Sequence, residues 1–163
     1  MLGRLLHADP VDDYQSISRF GDSSDKGFSP PTPLLRLLFS DSETKFLKSQ
    51  WVCRIATASS DGWPHNVPVG FVFDGTVFYM SSDPGAKKLR NMAENSRVCI
   101  IVDEPAKPRR AVMVQGLATL VEHGEEFERI NEFIHKQWGG KKWKEGEQVA
   151  VRIVPTRKVS WGV

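Results

Sequence analysis

Residues 51–82 read WVCRIATASSDGWPHNVPVGFVFDGTVFYMSS. The segment WVCRIATAS (51–59) alternates apolar and polar side chains and is rich in β-formers, which predicts a half-buried strand. SDG supplies a turn, and PHNVPVGFVF (64–73) reads as the returning strand. FDGT makes a second tight turn into TVFYMS (76–81). Pro68 cannot donate a ladder hydrogen bond, so it marks an edge, a bulge, or a place where the ladder is open to something else.

The chain then runs through YMSSDPGAKKLRNM (79–92), which predicts a helix to about Asn95 with Asp83 as N-cap and Pro84 at the first helical position. Lys87 and Lys88 near a positive helix end are unfavourable unless an anion sits there. The hydroxyls of Ser81 and Ser82, the accessible amides around Gly85 and Ala86, and two adjacent cations are the parts of a phosphate cradle. A solvated helix start is the competing reading, and Asp83 opposes an anion unless it turns away to cap.

Farther out, RVCIIVD (97–103) reads as a mostly buried strand, Pro105 to Pro108 as a loop, and RAVMVQGLATLVE (110–122) as a long strand bent near Gly116. GEEFERINEFIHKQW fits a helix whose core stripe is Phe127, Ile130, Phe133, Ile134 and Trp138. QVAVRIVP (148–155) and KVSWG (158–162) read as two final strands, and a short helix starts at Asp41. Residues 1–33, with the cluster Pro30-Pro31-Thr32-Pro33, lack periodicity and are expected to form an extended arm. Residues 34–163 are expected to be a single domain. The expected fold is mainly β: a six- to seven-stranded antiparallel split barrel of Greek-key type with two to three peripheral helices.

A chain of 163 residues with 40% hydrophobic content is long enough for one buried core. A net charge of +2, with acids and bases intermixed, gives no electrostatic case for nucleic acid. No apolar run approaches the ~20 residues of a membrane helix and no secretory signal is evident, so a cytoplasmic location is expected. Cys53 and Cys99 sit in apolar runs and read as small buried hydrophobes. His7, His65, His123 and His135 are scattered, and no metal-ligand spacing, dinucleotide fingerprint or phosphate-binding P-loop occurs. Ser59-Ser60-Asp61 lies in a turn without the glycine elbow of a hydrolase. Trp51 and Trp138 suit core or interface packing, whereas Trp161, two residues from the end, can close over a planar ligand.

From about Phe46 to Trp161 the sequence resembles the flavin-binding split-barrel proteins related to pyridoxamine 5'-phosphate oxidase, in the branch that uses FMN or its deazaflavin analogue. The resemblance is carried by RIATASSDGWPHNVPVGFVFDGTVFYMSSDPGAKKLRNMAENSRVCIIVD, VQGLATLVE and KVSWG, in order. It implies a homodimer with the cofactor at the interface. It also implies that Lys87 and Lys88 grip the FMN phosphate with help from Ser81 and Ser82, and that the strand Asn66, Val67, Pro68, Val69, Gly70 and Phe71 lies along the isoalloxazine ring. Tyr79 and Met80 fall near the ring and ribityl chain, and Trp161 matches an aromatic from the second subunit. The family often has serine where Ala86 stands, and the loop here is longer. Ala111 replaces the oxidase's glutamine, Gln115 is out of register with it, and the oxidase's C-terminal substrate-binding arginine and histidine have no counterpart. The implied function is an FMN-dependent oxidoreductase acting on a small molecule. The alternatives are a deazaflavin-dependent reductase of the same fold, or a non-catalytic flavin- or haem-binding module. His65 is the one nearby candidate proton donor, against a turn-exposed structural role.

Overall fold

The computed structural model describes residues 38–104 and 109–163. The expected arm and the Pro105–Pro108 loop lie outside these residues. The described chain folds as α1 (Asp41–Ser49), β1 (Val52–Ala58), β2 (Pro64–Gly70), β3 (Val72–Phe73), β4 (Phe78–Ser82), α2 (Lys87–Glu94), β5 (Arg97–Glu104), β6 (Arg110–Val121), α3 (Gly124–Trp138) and β7 (Val149–Trp161). All seven strands belong to one antiparallel sheet of order β2-β1-β5-β6-β7-β4-β3. The two end strands, β2 and β3, are separated in the chain by Phe71 alone, so the sheet must curl until its ends meet at that residue. This is the expected split half-barrel.

Burial follows the strand period. On β1, Cys53, Ile55 and Thr57 face the interior while Arg54 and Ala56 face out, and the other strands alternate likewise. The interior is packed by Phe71, Phe73, Phe78, Met80, Ile100, Val112, Val114 and Ile153, with Leu47 of α1 and Leu89 and Met92 of α2 inserted from the helices. α3 covers a separate patch on the outer surface, where Phe127, Ile130 and Ile134 pack on Val72, Val121 and Ala150.

Three expectations change. The strand read as 64–73 is interrupted at Phe71, where the chain passes from one sheet edge to the other. The two final strands are a single strand, β7, because its polar centre still pairs: Arg157 lies opposite Gln115 and Lys158 opposite Val114. Trp138 ends α3 beyond the core stripe and is 40% exposed, as are Trp51 and Trp63 to a greater degree.

The bend near Gly116 is present as a register shift between Gln115 and Gly116, with Pro155 opposite the glycine. Proline lacks the donor that the irregular ladder cannot use. A Cβ at Gly116 would lie 2.7 Å from the Val154 carbonyl oxygen and 2.9 Å from Ile153 Cγ2. Gly116→Ala is therefore expected to destabilise the domain by about 1–3 kcal/mol, read as a lower urea midpoint with an unchanged slope. An unaltered midpoint would show that the bulge relaxes freely.

Candidate functional site

β2 is joined by a ladder to β1 and to no other strand, while β4 pairs with β3 through Phe78 and Tyr79 and with β7 along its length. Beyond Phe71, β2 and β4 therefore diverge, leaving a seam with one unpaired edge on each side. The direction of the free groups follows from ladder alternation. Phe71 N–H donates to Trp51 O at 2.9 Å and Ser59 N–H to Trp63 O at 3.1 Å, so the bonded pairs fall at odd-numbered residues of β2. The backbone groups of Asn66, Pro68 and Gly70 point away from β1. Pro68 thus occupies a position where the sheet needs no donor.

At the far end of β4, helix α2 begins differently from its sequence reading. Asp83 is not the N-cap: its carboxylate accepts from Gln148 Nε2 at 2.6 Å. Gly85 adopts a left-handed φ of 78°, and a turn with Ala86 N–H donating to Asp83 O brings the helix start to Lys87, with Ala86 as N-cap. Alanine has no side chain that can accept, so the amides of Lys87 and Lys88 carry no cap. Lys87 is exposed and Lys88 half-buried. The buried bond from Asn91 Nδ2 to Thr57 Oγ1, 2.9 Å, fixes α2 against β1. A hydrogen bond from Ser59 holds Asp61 below the usual carboxylate range against a small opposing effect of desolvation, and the charge of Lys87 contributes in the same direction as the bond. Thr57 lies opposite His65, so the bond from Asn91 sets α2 at the end of the β1–β2 hairpin nearest its turn.

Side chains on β2 divide between the two faces. Asn66 and Pro68 are exposed on the outer face, whereas Val67 and Val69 pack inward. His65 shares the inward parity, with Nδ1 buried and without a partner among the described residues, opposite to the face of Asn66 and Pro68. Phe71 and Met80 are core residues, so any contact they make with a ligand is through the backbone. Tyr79 packs its ring on Phe133 and donates to Asp74 Oδ2 at 3.1 Å; burial, with the nearby Asp74 charge, raises its pKa. Ser81 is half-buried, and Ser82 Oγ is buried with no hydrogen-bond partner among the described residues.

The sheet register brings further residues onto the face of Asn66 and Pro68. One row runs Pro68, Arg54, Ile101, Met113, Val159, and the next runs Asn66, Ala56, Cys99, Gln115, Arg157. Trp161 lies opposite Ala111 at the end of the same face, and Val159 and Trp161 are 55% and 46% exposed. Arg54 was not singled out in the sequence, Cys99 was expected as a small buried hydrophobe but is half-buried, and Gln115 was noted only as out of register with the oxidase's glutamine; only the cross-strand register groups them. Arg54 is paired with Asp103. Burial pushes the Cys53 thiol up to about 12 and raises that of Cys99, which leaves neither suited to nucleophilic chemistry. No group of three metal-ligating side chains occurs among the described residues.

Two elements are chemically complementary to a phosphorylated planar ligand. The uncapped, lysine-bearing start of α2 matches a phosphate, and the outward backbone of Asn66–Gly70 offers hydrogen bonds to a heteroaromatic ring edge. These two elements fit a phosphorylated flavin or deazaflavin, whereas the buried Ser82 hydroxyl shares the inward parity of Phe78 and Met80.

A seven-stranded antiparallel half-barrel with three helices defines the split-barrel class. The chain belongs to the pyridoxamine 5'-phosphate oxidase family, which it matches over residues 39–161. It is 33% identical to a 5a,11a-dehydrotetracycline/5a,11a-dehydrooxytetracycline reductase of Streptomyces rimosus subsp. rimosus over 133 residues, covering 77% of this chain and 84% of that protein. At the level of the family this supports an oxidoreductase. Among solved structures, a pyridoxamine 5'-phosphate oxidase-like protein of Listeria innocua superposes with a TM-score of 0.65 at 25% identity, over 76% of this chain and 98% of that one. An FAD-binding protein of Mesorhizobium loti superposes with a TM-score of 0.60 at 27% identity, over 75% and 93%. Among the described residues no helix is long and apolar enough to cross a membrane.

Proposed function

We propose that this chain is an FMN-dependent reductase of a small, fused-ring organic acceptor, working as a homodimer. The observation that carries the reading is the presence of an open β2 edge together with an uncapped, lysine-bearing start of α2, which supports a ligand with a flat polar ring at one end and a phosphate at the other. Lys87 and Lys88 hold the phosphate with the two free amides, and the backbone of Asn66 to Gly70 orients the ring. Bound FMN would supply hydride chemistry between a reduced donor and the acceptor. The protein side needs no acid–base dyad for that, and His65, facing inward, takes no part; the proton reaches the acceptor from solvent. The reductase relative and the FAD-binding structure support the reaction class. The exposed outer face bearing Val159 and Trp161 supports association with a second copy, which would place Trp161 over the partner's cofactor.

The absorption spectrum of protein purified without added cofactor tests this. A yellow dimer whose chromophore is released by denaturation and identified as FMN is the expected result. Protein that stays colourless and binds added deazaflavin in preference to FMN overturns the cofactor assignment, and protein that binds neither overturns the reading altogether.

A further inference from the structure

Trp138 does not belong to the core it was expected to join. It is the last residue of α3, one turn beyond Ile134, and its position is set by the helix end: Gly139 has a φ of 78°, its N–H donates to His135 O at 2.7 Å, and its carbonyl lies 3.1 Å from His135 Nδ1. The indole reaches across the outer surface to β2. A Cβ on Gly70 would lie 2.8 Å from Trp138 Cη2 and 3.1 Å from Cζ2, so only glycine admits the six-membered ring at that distance. Gly70 has the parity of Asn66 and Pro68, which puts the indole on the outer face where those two residues are exposed.

Direction along β2 gives this contact its meaning. α2 is fastened by Asn91 to Thr57, which lies opposite His65, so the helix stands at the Pro64 end of the strand. Gly70 is the opposite end, and the run from Asn66 to Gly70 spans about 14 Å at the rise of a strand. With a phosphate at α2 and the ring along Asn66 to Gly70, as proposed above, the ring end of the ligand would face Trp138. The indole has its edge against the Gly70 backbone while 40% of the residue remains open to solvent. An aromatic seated edge-on against a strand and partly open to solvent offers a surface for stacking.

We infer that Trp138, seated on Gly70, is the substrate-positioning wall of the site, against which a planar fused-ring acceptor stacks at the ring end of the cofactor. This rests on the reading of the chain as an FMN-dependent reductase. The wall acts on the acceptor and leaves the phosphate grip untouched, because Trp138 and the α2 start stand at opposite ends of β2.

The test uses the full chain loaded with FMN, with tetracycline, a four-ring compound, as probe, and compares wild type, Trp138→Phe and Trp138→Ala. Tetracycline affinity is read by difference absorbance and FMN affinity by quenching of flavin fluorescence. Trp138→Ala is expected to weaken tetracycline binding by about tenfold, and Trp138→Phe by about threefold or less, with FMN affinity in both within about twofold of wild type. Unchanged tetracycline affinity in Trp138→Ala, or no tetracycline binding by FMN-loaded wild type, overturns the inference while leaving the flavin reading standing. Parallel loss of FMN affinity in Trp138→Ala also overturns it, by making the indole a cofactor contact. Wild type that does not bind FMN removes the reading on which the inference rests.

Discussion

Replacing Lys87 and Lys88 together by alanine is expected to weaken FMN binding by about a hundredfold while leaving the fold intact. Each lysine offers a charge-assisted bond to a phosphate, and two such bonds at about 1.5 kcal/mol each correspond to two decades of affinity. The fold does not depend on them. Lys87 is exposed, Lys88 is half-buried, neither forms an ion pair among the described residues, and their charges oppose the positive end of α2. The melting temperature of the cofactor-free protein should therefore shift by no more than about 2 °C. Titration with FMN, followed by flavin fluorescence, measures the first quantity, and circular dichroism on heating the second. Equal affinity in the variant and the wild type would remove the phosphate from the start of α2.

The largest stability effect is expected at Glu43. Its side chain is 4% exposed, and its carboxylate accepts from the Ser40 amide at 2.7 Å, from Lys158 and from Ser160. Burial alone would raise its pKa; the bonds from Lys158, Ser160 and the Ser40 amide, with the Lys158 charge, outweigh that and hold it at about 2. A folded value about 2.5 units below the ordinary 4.5 corresponds to roughly 3 kcal/mol of stability. That contribution is complete above pH 4.5 and is lost as pH falls toward 2. Glu43→Gln should thus unfold at a clearly lower urea concentration than wild type at pH 7, with the two curves drawing together between pH 4.5 and 2. Curves separated by the same amount at pH 7 and pH 3 would show that the carboxylate charge is not what the network stabilises. The network also fastens α1 to the part of β7 that ends in Trp161, so its loss should loosen the outer face.

Much of the fold was legible because the strands alternate and the turns carry glycine. Residues 51–82 gave the hairpin and its successor, and Gly116 marked the bulge. The continuity of β7 was hidden by Thr156, Arg157 and Lys158, whose polarity resembles a turn; they are polar because the strand there has left the core. The start of α2 was misplaced because Asp-Pro is a strong helix-start signal, and it lost to a turn at Gly85 and to Gln148, 65 residues away. Such distant partners have no local signature. Glu43 is the N3 residue of a capping box with Ser40, which is readable, but its bond to Lys158 spans 115 residues and is not. Trp138 satisfied helical spacing, yet periodicity cannot tell whether the surface being covered extends as far as the last turn. Of the candidate site, the lysines and Pro68 were visible as residues out of place. The face shared by Asn66, Arg54, Cys99 and Gln115 exists only through sheet register.

The edge of β2 that faces away from β1 has one more consequence. A row of free backbone groups is a template on which any extended peptide can add as a further strand, and growth of that kind is how open sheets aggregate. Pro68 stands at the middle of that row, between the outward amides of Asn66 and Gly70, and gives an incoming strand an acceptor without its companion donor. The interruption leaves room for a compact ligand that needs scattered bonds and denies a continuous ladder to another chain. Pro68 thereby removes from this edge the donor that a continuing strand would need at its middle.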